Sequence, residues 1–312
     1  MTMEAHGERW FANETPFKDQ MKDYWGEWGL NSEIGKLRAV LLRRPGSEIE
    51  GMEQTYKKYR WLAPMDPVKA REEHDQLAQI YRDHGATVHY LEETGPYPNA
   101  IYMRDTVVMT PEGAIVSRMG IDARRGEEKY VAKALANLDI PIIKTINGTG
   151  IFEGACLLWV DKESVLIGVG NRSNAEGVRQ VEEELKNIGV TNICRIQVPF
   201  GNTHIDGAVN IADKDVAAIF PWHLPHEAAV FLMDRGFKLI ECNWPEESEG
   251  TLAVNFVALE PGKVVMPSGN HRTKDKLEKA GVEVVEIDVT EILKGWGAIH
   301  CMTGQLSRDE VV

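Results

Sequence analysis

The chain has 312 residues, 43% of them hydrophobic and 27% charged, with 48 acids against 35 lysines and arginines and a formal net charge of −13 at pH 7. That length can bury a substantial core and the composition is that of a globular protein, while the acidic balance excludes nucleic acid and anionic membranes as partners, since both call for basic patches. No apolar run could span a bilayer, the N-terminus lacks the pattern of a signal peptide, and Cys156, Cys194, Cys242 and Cys301 form no CxxC pair, so the expected compartment is a reducing cytoplasm, without a disulfide framework or a zinc site.

Residues 1–31, rich in tryptophan and charge, read as an N-terminal extension packed on a single catalytic domain formed by residues 32–312. Along that domain one phrase recurs five times. A short β-branched strand runs into a turn, a helix with apolar residues at helical spacing follows, and a breaker precedes a second β-rich strand. The first strands are expected at Leu37–Leu42, Ala114–Ser117, Ser164–Val169, Val216–Phe220 and Lys263–Met266. The helix-to-strand corners fall around Gly85, Leu138, Gly189, Gly236 and Gly281. Four are glycines, which suits a residue that takes positive φ after a helix. Two architectures fit this alternation, a doubly wound α/β sheet and a closed ring of five α/β units. Five similar units with extra short strands between them favour the ring.

The sequence carries no GxGxxG after a strand, no GxxxxGK[ST], no HExxH and no GxSxG, so dinucleotide, P-loop, zincin and serine-hydrolase chemistry lack their signatures. What remains are short polar clusters at the unit junctions. In chain order these are Tyr102-Met103-Arg104-Asp105-Thr106, Phe152-Glu153-Gly154-Ala155-Cys156, Gly170-Asn171-Arg172-Ser173-Asn174, Gly201 to Gly207 with His204 and Asp206, and Gly295 to Thr303 with His300-Cys301. Taken singly each has an ordinary reading: an Arg-Asp pair on the surface, a glutamate in a turn, a cysteine in the core. In the HxD pair, strand spacing would turn His204 and Asp206 to one side. His300, adjacent to Cys301 on an extended chain, would point away from it and so is not taken as the base.

These clusters, in this order, resemble the guanidino-group-modifying enzymes: arginine deiminases, dimethylarginine hydrolases and amidinotransferases. The similarity runs from Ser32-Glu33-Ile34-Gly35-Lys36-Leu37 and Arg44-Pro45-Gly46 to His300-Cys301. It implies the pentein fold, a five-bladed α/β propeller with pseudo-fivefold repeats, and it implies roles. Cys301 matches the nucleophile, His204 the general acid/base, and Glu153 the acid that orients the histidine. Asp105 and Asp206 match the carboxylates that grip the guanidinium, and Arg172 matches an arginine that holds a substrate carboxylate. The chain departs from many relatives in having Cys156 where they carry an aspartate, and His300 where arginine deiminases tend to carry an arginine.

The chemistry accounts for such a set. A guanidinium carbon is a poor electrophile; paired carboxylates match its planar donors and hold it for attack, and a thiolate is a strong enough nucleophile. The expected activity is hydrolysis of arginine or a close guanidino acid through a covalent cysteine adduct, with no cofactor and no metal. The alternatives are an amidinotransferase, a dihydrolase that continues to ornithine, and a non-catalytic guanidino-binding protein. The expected partner is a small guanidino molecule, and the sequence leaves a homo-oligomer open.

Overall fold

Each of the five strands expected from the sequence is the middle strand of its own three-stranded sheet. The computed structural model describes residues 12–93 and 95–311. In chain order its strands are β1 (Leu37–Leu42), β2 (Thr87–Tyr90), β3 (Val107–Thr110), β4 (Gly113–Val116), β5 (Ile142–Thr145), β6 (Leu157–Asp161), β7 (Ser164–Val169), β8 (Asn192–Gln197), β9 (Val209–Asp213), β10 (Val216–Ile219), β11 (Lys238–Glu241), β12 (Val257–Glu260), β13 (Lys263–Pro267), β14 (Glu283–Ile287) and β15 (Gly304–Arg308). The sheets are β15-β1-β2, β3-β4-β5, β6-β7-β8, β9-β10-β11 and β12-β13-β14. All follow one plan, with the middle strand antiparallel to one neighbour and parallel to the other. The last strand of the chain completes the sheet of the first, so the two ends of the fold are stitched together by backbone hydrogen bonds.

The parallel pairs are bridged by helices: α2 (Pro67–Asp83), α3 (Glu127–Asn137), α4 (Ala175–Asn187), α5 (His226–Met233) and α6 (His271–Lys279), following α1 (Phe17–Tyr24) at the N-terminal side. All five bridging helices end the same way. The amides of Ala86, Ile140, Val190, Phe237 and Val282 each donate to the carbonyl five residues back, on Tyr81, Leu135, Leu185, Leu232 and Leu277, at 2.9–3.1 Å. This closure needs one residue in the left-handed region. Gly85, Gly189, Gly236 and Gly281 supply it at φ between +83° and +96°, as the sequence suggested; in the remaining corner Asp139, rather than Leu138, takes it at φ +56°.

The antiparallel strands β3, β6, β9, β12 and β15 are almost wholly buried, whereas the parallel partners β2, β5, β8, β11 and β14 are half exposed. Three hydrophobic clusters fill the spaces between neighbouring sheets, around Phe220 and Phe256, around Phe152 and Trp159, and around Tyr81 and Met302. The antiparallel strand of every sheet is therefore the buried one, called the inward strand below. Of the expected N-terminal extension, residues 1–11 lie outside the described residues. Further on, Gly29 bonds to Leu306 and Arg308, and Ser307 Oγ donates to the Glu27 carbonyl, which lays this segment alongside β15. Among the described residues no helix is long and apolar enough to cross a membrane.

Candidate active site

Just ahead of each inward strand stand one or two residues with chemistry to offer: Asp105 before β3, Glu153 before β6, His204 and Asp206 before β9, Asn255 before β12, and Cys301 before β15. Four of these positions were legible as motifs. Asn255 was not, because Asn255 sits in an unremarkable TLAVNF stretch; its signal is its place, which repeats that of the others. The close approach at these junctions depends on glycine. A Cβ on Gly154 would lie 2.4 Å from the Arg104 carbonyl oxygen, and one on Gly297 would lie 2.3 Å from the Tyr102 ring.

Asp105, His204 and Cys301 line one cavity of about 570 Å³, and a smaller cavity of about 260 Å³ that shares His204 and Cys301 with it also reaches Asp206. His204 Nε2 lies 2.7 Å from Glu153 Oε2, and its Nδ1 lies 3.6 Å from Asp105 Oδ1. Burial by itself would strip the proton from this imidazole, but the carboxylates of Asp105 and Glu153 outweigh it and hold His204 above its ordinary range. Glu153 is completely buried. Burial opposes its ionisation, yet the bond to His204 and the charges of His204 and Arg172 keep it down at about 2. Gly120 N also donates to Glu153 Oε1 at 2.8 Å.

Cys301 is 8% exposed and stands in a short helical turn, Ile299–Met302. Burial first, then the nearby Asp206 and Asp105 carboxylates, push its thiol well above the usual value, so the resting sulfur is protonated. Asn255 Nδ2 lies 3.2 Å from Sγ while Asn255 Oδ1 accepts from the Cys301 amide at 3.1 Å. Asp206 Oδ2 lies 3.6 Å from Sγ. The other three cysteines are also free thiols; Cys156 is completely buried, and burial pushes its thiol up.

Two expectations change. His204 and Asp206 are not on a strand but in the turn before β9, and they face different partners, Glu153 and Cys301. His300 is not on extended chain: the helical turn brings its Nδ1 to 2.9 Å from Asp206 Oδ2, with Nε2 3.4 Å from Glu33 Oε2. Glu33 is itself buried against Arg104, which donates to it at 2.9 Å. Arg172, the expected holder of a substrate carboxylate, lines the cavity and also meets Glu153. Its Nη1 lies 3.2 Å from both oxygens of Glu153, and Glu176 pairs with Arg179 instead.

The guanidinium grip is also more partly occupied than the motifs suggested. Asp105 Oδ2 bonds to Arg124 Nη1, and Arg124 is further bound to Glu127 at 2.8 Å. Sequence reasoning passed over Arg124, which lies in a helix approach without a recognisable motif. Asp105 Oδ1 is buried and accepts no hydrogen bond, a free acceptor at the cavity wall. Asp105, Glu153 and His204 are also the one group among the described residues whose ligand atoms are close enough to hold a metal ion. The tight Glu153–His204 contact leaves those atoms committed to one another, and a guanidinium donor fits the orphaned Asp105 oxygen as well as a cation would.

A family model described as N,N-dimethylarginine dimethylhydrolase, eukaryotic, matches residues 55–308. The chain is similar to the 2-nitroimidazole nitrohydrolase of Mycobacterium sp. (strain JS330), 29% identical over 314 residues, covering 90% of this chain and 82% of that one. It is similar to the N(G),N(G)-dimethylarginine dimethylaminohydrolase of Pseudomonas aeruginosa, 25% identical over 267 residues, covering 85% and 97%. In fold it resembles the N-terminal domain of ArgZ, an arginine dihydrolase of cyanobacteria, with a TM-score of 0.76 at 18% identity over 86% of this chain and 98% of that one.

Proposed function

The chain belongs to the N,N-dimethylarginine dimethylhydrolase family of guanidino-modifying enzymes, and from that membership we propose that it hydrolyses arginine or a close guanidino acid through a covalent adduct on Cys301. We read the five sheets as blades of a five-bladed α/β propeller, with residues 32–312 as one catalytic domain and residues 1–31 packed on it. Supporting that reading, β15 closes the sheet of β1, and the segments before β3, β9, β12 and β15 bring Asp105, His204, Asp206, Asn255 and Cys301 to two cavities that share His204 and Cys301.

The observation that carries the function is the pairing of a buried, ionised Glu153 with His204 at 2.7 Å in the cavity lined by Cys301. Asp105 Oδ1 and Asp206 receive the guanidinium. Its positive charge beside Cys301 offsets the two carboxylates that hold the thiol neutral, and the thiol proton passes to solvent. The sulfur bonds to the guanidinium carbon. The C–N bond to the departing nitrogen breaks as His204 gives that nitrogen its proton, and a thiouronium cation remains on Cys301. His204, now neutral, takes a proton from water; the hydroxyl adds to the same carbon, the C–S bond breaks, and a ureido product leaves with ammonia or an amine. Asn255 Nδ2, placed against Sγ, stabilises the thiolate at both ends of the cycle. Arg172 props Glu153.

Mass spectrometry of products from a panel of guanidino compounds tests this reading. The panel includes 2-nitroimidazole, whose reacting carbon, like a guanidinium carbon, lies between two nitrogens and bears a leaving group. A ureido product from arginine or a methylated arginine, lost in Cys301→Ala, is the expected result; turnover that survives Cys301→Ala overturns it. Formation of ornithine, or of a new guanidino compound only when an amine is added, would instead assign the dihydrolase or the amidinotransferase outcome.

A further inference from the structure

Glu33, in the Ser32-Glu33 motif ahead of β1, has no part in the chemistry above, yet it begins a buried row of charges that ends on Cys301. Glu33 Oε1 accepts from Arg104 Nη2 at 2.9 Å, and Oε2 accepts from Gln305 Nε2 at 2.9 Å. His300 Nε2 lies 3.4 Å from the same Oε2, and His300 Nδ1 lies 2.9 Å from Asp206 Oδ2. Asp206 Oδ2 in turn lies 3.6 Å from the Cys301 sulfur. Glu33, His300 and Asp206 are all buried. An imidazole enclosed with a carboxylate at each nitrogen holds a proton on both, because a bare ring nitrogen facing a carboxylate would put two acceptors in contact.

Three donors converge on a single oxygen of Asp206: the His300 ring, Asn255 Nδ2 at 3.1 Å and the Cys301 thiol. Among the described residues no hydrogen bond reaches Oδ1, and Asp206 lines the smaller cavity. One edge of the carboxylate is thus fixed and the other is left over. Burial acts against the charge on both partners. At Asp206 the bond to His300 outweighs it and, with the charges of His300, His204 and Arg104, holds the carboxyl below its ordinary range. At His300 the bonds to Asp206 and Glu33 outweigh both burial and the opposing charge of Arg104, and hold the imidazole above its own range.

We propose that His300 is a positioning residue of this enzyme: a buried imidazolium anchored on Glu33, it fixes Oδ2 of Asp206 and keeps that carboxylate charged, so that Oδ1 is presented to the guanidinium beside Cys301. His300 acts through Asp206 and not on the substrate itself. Without it Asp206 would be a buried carboxylate beside a thiol, which takes up a proton more readily and so loses its hold on a cation. The inference rests on the guanidino reading of the Cys301 site and names what keeps one of its two carboxylates ready.

The test compares two alkylating reagents of equal size, 2-chloroacetamidine, a cation, and chloroacetamide, which is neutral. In each, the Cys301 sulfur displaces chloride, forming C–S as C–Cl breaks, and the thiol proton passes to solvent. Intact-mass kinetics give the two rates, and their ratio reads how strongly the site draws a cation, free of changes in the thiol itself. Wild type should hold its ratio from pH 8 down to pH 5.5. His300→Asn places an uncharged donor where Nδ1 stands, so its ratio should match wild type at pH 8 and fall about tenfold by pH 5.5, as Asp206 takes up a proton. His300→Gln places its donor where Nε2 stands, toward Glu33, so its ratio should be reduced at both. Ratios that follow wild type across this range in both variants, or a ratio that falls in wild type as well, overturn the assignment. Should both substitutions unfold the chain, ring-nitrogen NMR of the wild type decides. His300, identified as the imidazole whose signals move in Glu33→Gln, should carry a proton on each nitrogen at pH 7, and a neutral ring overturns the proposal. If wild type prefers the cationic reagent no more than glutathione does at any pH, the guanidino reading itself fails and the role of His300 falls with it.

Discussion

Cys301 and Asn255 hold each other at two points, the cysteine amide donating to Asn255 Oδ1 at 3.1 Å and Asn255 Nδ2 lying 3.2 Å from the sulfur. The first bond fixes where the nucleophile sits, and the second offers a donor to a thiolate that Asp105 and Asp206 both disfavour. Asn255→Ala should therefore lower kcat by about 10- to 100-fold, the worth of one hydrogen bond to a charged group. Alkylation of Cys301 by iodoacetamide should slow alongside it. Full activity in this variant would remove Asn255 from the site.

Asp105 and Asp206 raise the thiol and also attract cations, so the free enzyme should discriminate between reagents of equal size. Cationic chloroacetamidine should alkylate Cys301 much faster than neutral chloroacetamide, by a larger factor than with a free thiol such as glutathione. Asp105→Asn or Asp206→Asn should shrink that factor. A preference no greater than that of glutathione, or one untouched by both substitutions, would refute activation by the bound cation.

His204 donates its proton to the leaving nitrogen, so turnover should decline as pH rises past its elevated value. The Glu153 carboxylate is one of the groups that raise it. In Glu153→Gln the alkaline limb of the kcat profile should move to lower pH, by about one unit, equivalent to about 1.4 kcal/mol of lost interaction with the imidazolium. The position of that limb, rather than the size of the rate loss, is the reading: an unmoved limb separates a purely structural Glu153 from one that tunes His204.

His74 lies on α2, completely buried, with neither ring nitrogen bonded. Burial depresses its pKa to about 4. The unfolded chain binds that proton near pH 6.5 and the folded one only near 4, so this group's contribution to stability is intact above 6.5 and is lost progressively as pH falls between the two, by about 3 kcal/mol in all. His74→Leu should remove this loss and raise Tm, since an apolar side chain leaves no orphaned polar atoms. Denaturant unfolding at pH 7 and pH 4.5 checks it; an equal or steeper acid loss in the variant would place the sensitivity elsewhere.

The parts of the fold that the sequence determines are local. The five helix-to-strand corners could be read because the bond that closes each spans five residues and needs a single left-handed position, so a glycine after an apolar helix marks it; only Asp139, a non-glycine in that position, blurred its corner. The middle strands could be read because they are buried on both faces and appear as continuous apolar runs. The inward strands were noticed only as extra short segments, since β3, β6, β9 and β12 are each joined to their middle strand by a brief turn such as Pro111-Glu112 or Lys214-Asp215 and merge with it in the sequence, while β15 comes from the far end of the chain.

The site divides in the same way. The order of Asp105, Glu153, His204, Asp206 and Cys301 was legible because each is embedded in a short polar cluster at a unit junction. Which charge meets which was decided by tertiary structure alone. Arg172 finds Glu153 rather than the nearby Glu176, and Arg104 finds Glu33, because the sheets bring their inner ends together and a buried charge must be matched by whichever opposite charge shares its low-dielectric space. Asn255 becomes a partner of Cys301 only when the fifth and first sheets, β12 and β15 among them, meet at one point.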